Sequence, residues 1–165
     1  MSRGFVKEVD LELAGTDLPE RPISEHPNYV TPQGLGQLEQ LVEKLSNEHR
    51  TLSPKNEDPT VGQKLASIER DLRYYEARLE QVILVEPVGE KPTSVVFGTA
   101  VTVEDENGDQ HRFNIVGEDE ADASINKVSY VSPLAKALIG HKVGDNVLWK
   151  RPAGDLTLEI IDIIY

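Results

Sequence analysis

The chain has 165 residues, a formal net charge of −12 and no cysteine. That length allows one domain or two small ones. Lys and Arg are outnumbered by Asp and Glu, which argues against a broad surface for nucleic-acid phosphates. The lack of cysteine excludes disulfides, thiolate metal sites and a cysteine nucleophile. No apolar run approaches the roughly 20 residues of a membrane-spanning helix, and no signal peptide is evident, so we expect a cytoplasmic protein.

Residues 1–29 are predicted to form an extended tail. Within it, the stretch DLELAGTDLPERPISEHPNY combines three prolines with many charges and few large apolar side chains. Such a composition cannot bury a core of its own. Two interpretations of the tail remain open. It is either a plain unstructured leader or an arm that docks through Phe5 and Val6.

Residues 30–85 are predicted to form an antiparallel coiled-coil hairpin. Thr31-Pro32 and Asp58-Pro59 each place a capping side chain before a proline, the start signal of a helix. Each arm should measure about 20–25 residues, or roughly 30–37 Å. Apolar residues recur at alternating spacings of three and four in both arms, except that His49 fills a spacing of seven between Leu45 and Leu52. The apolar residues are Leu35, Leu38, Val42, Leu45, Leu52, Leu65, Ile68, Leu72, Tyr75, Leu79 and Val82.

Residues 86–94 are predicted to be a linker, and 95–165 a domain of short strands. Alternating apolar residues mark strands in VVFGTAVTVED, QHRFNIVGED and KVSYVS. Asn107-Gly108 lies between the first two and predicts a two-residue hairpin turn.

One short helix should follow these strands. In PLAKALIG, Pro133 occupies the first helical position and Gly140 the stop. DNVLWKRP and DLTLEIIDIIY are predicted as two closing strands. The expected fold class is α+β, with a helical hairpin followed by a small antiparallel sheet and one helix packed across it.

The stretch SYVSPLAKALIGHKVGD resembles the C-terminal signature of the bacterial GreA and GreB transcription factors. The matching residues are Ser129, Ser132, Pro133, Leu134, Ala135, Gly140, Gly144 and Asp145. FGTAVTVED, FNIVGEDEAD and GDLTLEIIDI look like the family's successive strands in the same order, and YVTPQGLGQLEQLVEKL is similar to its helix start. The resemblance covers residues 30–165.

This resemblance implies a coiled-coil hairpin and an FKBP-like C-terminal domain. In the family, that domain docks at the rim of the secondary channel of RNA polymerase, and the hairpin reaches toward the active site. Two acidic tip residues help to hold a Mg²⁺ ion with which the polymerase cleaves backtracked RNA. The implied partner is therefore RNA polymerase, with nucleic acid contacted only within the transcription complex. The implied protein is a monomer, not itself an enzyme, and has no cofactor when free.

The resemblance also implies two sets of site residues. Glu57 and Asp58 stand at the hairpin turn, where they would bind Mg²⁺ only within the polymerase complex. The docking residues would be Ser132, Pro133, Leu134, Asp119 and Glu120.

The hairpin departs from the family at its tip. The family string, Gly-Asp, two residues, then Glu-Asn-Ala-acidic-Tyr, is absent, and each arm is shorter by about two helical turns. Asp58 is therefore either a helix cap alone or a cap with a metal role. Stimulation of cleavage and simple occupation of the channel both remain open.

Two other functions remain as alternatives. Trp149 and Phe113 on an FKBP-like fold raise the possibility of a peptidyl-prolyl isomerase, although fold does not carry function across. The hairpin alone would suit a polymerase-independent interaction module. Arg70, Arg73 and Arg78 fit either contacts to RNA or polymerase, or a solvated face paired with acidic neighbours.

Overall fold

The computed structural model describes residues 18–165, which form two compact units. One unit contains residues 18–27 together with Gly36–Gln81, and the other contains Asn28–Leu35 together with Val82–Tyr165. The suggested docking of Phe5 and Val6 lies outside the described residues. The domain boundaries inferred from the sequence stay predictions.

The hairpin consists of α1 (Pro32–Leu52), a short 3₁₀ turn and α2 (Pro59–Glu80). Helices of 21 and 22 residues measure about 32 and 33 Å at 1.5 Å per residue. Both begin where the sequence predicts, because a side chain caps each one. The hydroxyl Oγ1 of Thr31 accepts a hydrogen bond of 2.9 Å from the Gly34 backbone, and Oδ1 of Asp58 accepts one of 2.9 Å from the Thr60 backbone.

Burial along the predicted apolar seam is uneven. Leu38, Leu65 and Ile68 are buried. Four other seam residues are only half-buried, namely Val42, Leu45, Leu72 and Leu79. Nε2 of His49 lies 3.1 Å from Oε1 of Glu69, so this pair joins the two helices near the turn. Contact along the whole seam stays a prediction.

The second unit includes a two-stranded sheet that the sequence analysis did not predict. Strand β1 (Asn28–Val30) pairs in parallel with β2 (Val82–Leu84). Gly117 allows the chain after β4 to lie close to β1, because a Cβ atom at that position would clash with the carbonyl oxygen of Tyr29. The Tyr29 ring also packs at 5.9 Å from Phe97 and 5.4 Å from Tyr130.

The main sheet has five strands in the order β5-β4-β3-β7-β6. They are β3 (Ala100–Glu104), β4 (Gln110–Val116), β5 (Lys127–Ser129), β6 (Asn146–Trp149) and β7 (Leu156–Ile164). All pairings are antiparallel except that of β4 with β5, which is parallel. The parallel pair arises because residues 117–126 cross over instead of forming a tight turn.

The short helix α3 (Pro133–Leu138) contributes its apolar face to the core of this unit. Leu134, Ala135 and Leu138 are buried together with sheet residues; these include Val101, Val103, Ile115, Leu158, Ile160 and Ile163. The α+β class, with two long helices followed by an antiparallel-rich sheet and one short helix, is confirmed.

The turn between β3 and β4 is one residue longer than predicted. Asp105 and Asp109 close it through a backbone hydrogen bond of 2.9 Å, which leaves three residues between them. Oδ1 of Asp105 accepts hydrogen bonds from the backbone of Asn107 at 2.9 Å and of Asp109 at 3.1 Å. Gly108 adopts φ = 83°, a conformation common in three-residue hairpin loops.

Candidate functional site

Glu57 and Asp58 lie at the hairpin turn and are exposed to solvent. The Asp58 backbone is extended, with φ −72° and ψ 122°, and its Oδ1 atom is used by the Thr60 N–H. Its carbonyl oxygen accepts the hydrogen bond of the Gly62 N–H at 2.9 Å. Asp58 is therefore a complete N-cap, and the positive end of α2 stabilises its charge.

The turn supplies too few ligands for a metal site of its own. Among residues 18–165, no group of three or more His, Cys, Asp or Glu side chains is arranged to hold a metal ion. Mg²⁺ needs near-octahedral oxygen coordination at about 2.1 Å, which one or two carboxylates provide only with help from water or another molecule. The two carboxylates of Glu57 and Asp58 are therefore too few to complete the coordination of Mg²⁺ by themselves.

The motif around Ser132 is built by a helix cap. Oγ of Ser132 accepts a hydrogen bond of 3.2 Å from the Ala135 backbone, and the Lys136 N–H reaches the Ser132 carbonyl at 3.0 Å. Pro133 at the first helical position is exposed. Leu134 is 4% exposed and belongs to the core. The part of this motif that is open to a partner is therefore the edge formed by Ser132 and Pro133.

The signature residues Gly140 and Gly144 build turns. Gly140 has φ = 90° and ends α3, and its N–H donates to the Val95 carbonyl at 2.8 Å. Gly144 has φ = 93°, and its N–H donates to the Ile160 carbonyl at 2.8 Å. Both positions need the left-handed region, which glycine adopts without strain.

Asp145 closes the second of these turns with its carboxylate. Oδ2 accepts a hydrogen bond of 2.9 Å from the Lys142 backbone and lies 3.3 Å from Nδ1 of His141. The backbone hydrogen bond from Lys142, followed by the contact with His141, lowers the pKa of Asp145 below its ordinary value. Most residues of SYVSPLAKALIGHKVGD that match the family signature therefore have structural roles. The edge formed by Ser132 and Pro133 is the exposed part of this stretch.

Glu120 lies in a separate network that the sequence analysis missed. Its side chain is 5% exposed, and Oε2 lies 3.3 Å from Nζ of Lys127. Oε1 accepts a hydrogen bond of 2.6 Å from Oγ1 of Thr31, the N-cap of α1. A Cβ atom at Gly34 would lie 2.6 Å from that same Oε1, so glycine leaves room for the carboxylate.

This network assigns Glu120 a structural task at the start of α1. A carboxylate that is nearly buried and has two partners offers little to a docking protein. Asp119, the neighbouring candidate, is half-buried. The sequence identified Thr31 as a helix cap. The residues next to Thr31 in the sequence do not indicate that it also contacts Glu120, 89 positions later.

Comparison with known proteins adds the family. Residues 90–165 match the model of the C-terminal domain of transcription elongation factors GreA and GreB. GreA of Trichlorobacter lovleyi is 40% identical over 121 residues, which cover 73% of this chain and 77% of that protein. GreB of Pseudomonas aeruginosa is 34% identical over 150 residues, which cover 82% of this chain and 89% of that protein.

The chain belongs to the GreA/GreB family of transcription elongation factors. A solved GreA/GreB factor from Nitrosomonas europaea is 26% identical, covers 83% of this chain and 98% of its own, and has a TM-score of 0.42.

Membership identifies this chain as an elongation factor that is not an enzyme in its own right, which sets aside the isomerase alternative. Phe113 is 8% exposed in the core, and its ring packs edge-on against Trp149 at 6.0 Å.

In the described part of the chain, neither long helix is apolar enough to traverse a bilayer.

Proposed function

We propose that this GreA/GreB-family protein regulates elongation by binding RNA polymerase and occupying its secondary channel without stimulating transcript cleavage. It would act in the cytoplasm as a monomer. The observation that carries this proposal is the hairpin tip. There Asp58 serves as a helix cap, and Glu57 is the only other acidic residue of the turn.

The length of the hairpin supports occupation over cleavage. The resemblance implies arms about two turns longer in the family, a difference of about 11 Å at 5.4 Å per turn. A Mg²⁺–oxygen bond measures about 2.1 Å, so a shortfall of this size removes the tip from the ion. Catalytic help requires reacting groups to be held in contact.

The charge of the tip supports the same conclusion. Oδ1 of Asp58 already accepts the Thr60 N–H, and the positive end of α2 attracts that carboxylate toward the helix. Both effects reduce the negative potential available to a cation. Glu57 is adjacent in sequence, so the pair lacks the separation of three positions that the resemblance implies for the family.

Docking is proposed to use the exposed edge formed by Ser132 and Pro133. Ser132 fixes the start of α3 and Pro133 presents a rigid, exposed ring, so the edge has one defined shape in the free protein. Such preorganisation reduces the entropy lost on binding. Glu120 is assigned to the start of α1 and not to this edge.

Competition for the polymerase tests the proposal. The purified chain should bind core RNA polymerase and displace a cleavage-stimulating GreB, with a corresponding loss of GreB-dependent cleavage in backtracked complexes. Failure to bind core polymerase would overturn the function. Binding without displacement of GreB would overturn only the assignment to the secondary channel.

A further inference from the structure

The second helix of the hairpin carries a face that holds part of the chain's own N-terminal segment. Nη1 of Arg21 lies 3.3 Å from Oδ1 of Asp71. The Arg21 guanidinium carbon also lies 3.9 Å from the Tyr74 ring centroid and 4.9 Å from that of Tyr75. One arginine is therefore recognised by a carboxylate and two aromatic rings, the combination that suits a planar guanidinium.

The neighbouring residue of the segment makes the opposite ion pair. Nε of Arg73 donates to both carboxylate oxygens of Glu20, at 2.9 and 3.0 Å, and Nη2 lies 2.7 Å from Oε1. The hydrogen bond from Arg73 lowers the pKa of Glu20. The acidic Glu20 and the basic Arg21 of the segment thus pair with a basic and an acidic residue of α2, namely Arg73 and Asp71.

Two prolines prepare the segment for this contact. Pro19 and Pro22 flank the charged pair in the stretch LPERP. Proline fixes its own φ and biases the residue before it toward extended backbone. Residues 18–24 contain neither helix nor strand. Proline-rich segments dock on aromatic surfaces in this way at low entropic cost.

We propose that Asp71, Arg73, Tyr74 and Tyr75 form a receptor face for a proline-flanked Glu-Arg segment, and that residues 18–22 fill it as a detachable strap. The strap stabilises the middle of α2 and covers Tyr74 and Tyr75. It is detachable because its outer ion pair is exposed: the side chains of Arg73 and Glu20 are 52% and 62% exposed, whereas those of Arg21 and Asp71 are 34% and 26% exposed. Ion pairs of this kind weaken as salt is added.

A charge exchange in the full chain tests the ionic half of the strap. In the native chain, ¹H–¹⁵N heteronuclear NOE values should approach those of α2 at the residues of 18–23 that carry an amide proton, namely Leu18, Glu20, Arg21 and Ile23. Glu20→Arg or Arg73→Glu alone should lower these values to those of free chain, and the double variant should restore them. Glu25→Arg makes the same charge change at an exposed residue of the same segment and should leave the values unchanged.

The aromatic half is tested by Arg21→Lys, which keeps the charge and loses the planar fork. It should lower the NOE values at residues 18–23 and speed amide hydrogen exchange at residues 71–75 of α2 several-fold. About 1 M sodium chloride should produce the same loss in the native chain. Native values already as low as in Glu20→Arg, or a double exchange that restores nothing, would overturn the strap. Full retention by Arg21→Lys would overturn the receptor for a guanidinium.

Discussion

The hydroxyl of Thr31 donates a 2.6 Å hydrogen bond to Oε1 of Glu120, a residue 89 positions later in the chain. The hydroxyl oxygen of Thr31 also accepts the hydrogen bond from the Gly34 N–H, with which α1 begins. One side chain therefore both starts the first helix of the hairpin and satisfies a carboxylate that is 5% exposed. Thr31 and Glu120 both belong to the second unit, so this contact joins the first residues of α1 to the loop after β4 within that unit.

Thr31→Val should destabilise the protein because it removes a helix cap and takes one partner from a nearly buried carboxylate. We expect a loss of about 1–3 kcal/mol in the free energy of unfolding, measured by urea titration with circular dichroism. Thr51→Val is the matched control, since the Thr51 hydroxyl bonds only to the Asn47 carbonyl four residues earlier. Equal losses in the two variants would show that neither the helix cap nor the contact with Glu120 contributes to stability.

Uneven burial of the seam predicts unequal costs of truncation. Leu65 is 6% exposed, whereas Leu72 is half-buried. Leu65→Ala should cost about 2–4 kcal/mol, and Leu72→Ala clearly less, because fewer contacts are lost and a smaller cavity remains. Thermal melts followed at 222 nm distinguish the two. A larger effect at Leu72 would mean that the helices pack along a different line.

The carboxylate of Asp145 should make the stability of the second unit depend on pH under acidic conditions. Its folded pKa lies below the ordinary value of 3.8, mainly through the Lys142 N–H. A group with a lowered folded pKa adds stability above its unfolded pKa, and this is lost as the pH falls through the folded value. The stability gap between the native chain and Asp145→Asn should therefore shrink as the pH falls below about 5 and on through the folded pKa, which lies below 3.8.

Asp155→Asn provides the comparison for that experiment, because Asp155 is exposed in the turn before β7. Its gap from the native chain should change less over the same pH range. A gap for Asp145→Asn that stays constant with pH would contradict the role of the carboxylate charge in this turn.

Pro133→Ala isolates docking from folding. Pro133 is exposed, and the cap from Ser132 to Ala135 remains in the variant, so the melting temperature should change little. Binding to core polymerase should weaken if the proposed edge is used. Ser132→Ala should instead cost about 1 kcal/mol of stability through loss of the cap. Unchanged affinity in both variants would remove this edge from the docking surface.

Local signals in the sequence predicted the local structure well. Asp58-Pro59 and Ser132-Pro133 each began a helix at the expected residue, because a cap and its N–H partner are at most three positions apart. Asn107-Gly108 predicted a turn in the right place but missed its length. The side chain of Asp105, just outside the pair, collects two backbone N–H groups and enlarges the loop.

Long-range relationships were not accessible in the same way. The contacts of Thr31 with Glu120, and of Arg21 with Asp71, join residues 89 and 50 positions apart. Each partner is an ordinary polar residue in its own surroundings, so neither contact leaves a local pattern. The strands β1 and β2 were missed for a related reason, since three residues are too few to show an alternation.

Transcript cleavage in backtracked RNA polymerase complexes tests the central claim most directly. The native protein, at concentrations that saturate the polymerase, should release no short RNA above the intrinsic level, and Glu57→Ala and Asp58→Asn should behave in the same way. Bound native protein that releases short RNA, with loss of this activity in either variant, would contradict the account and assign the tip carboxylates to the shared Mg²⁺ ion.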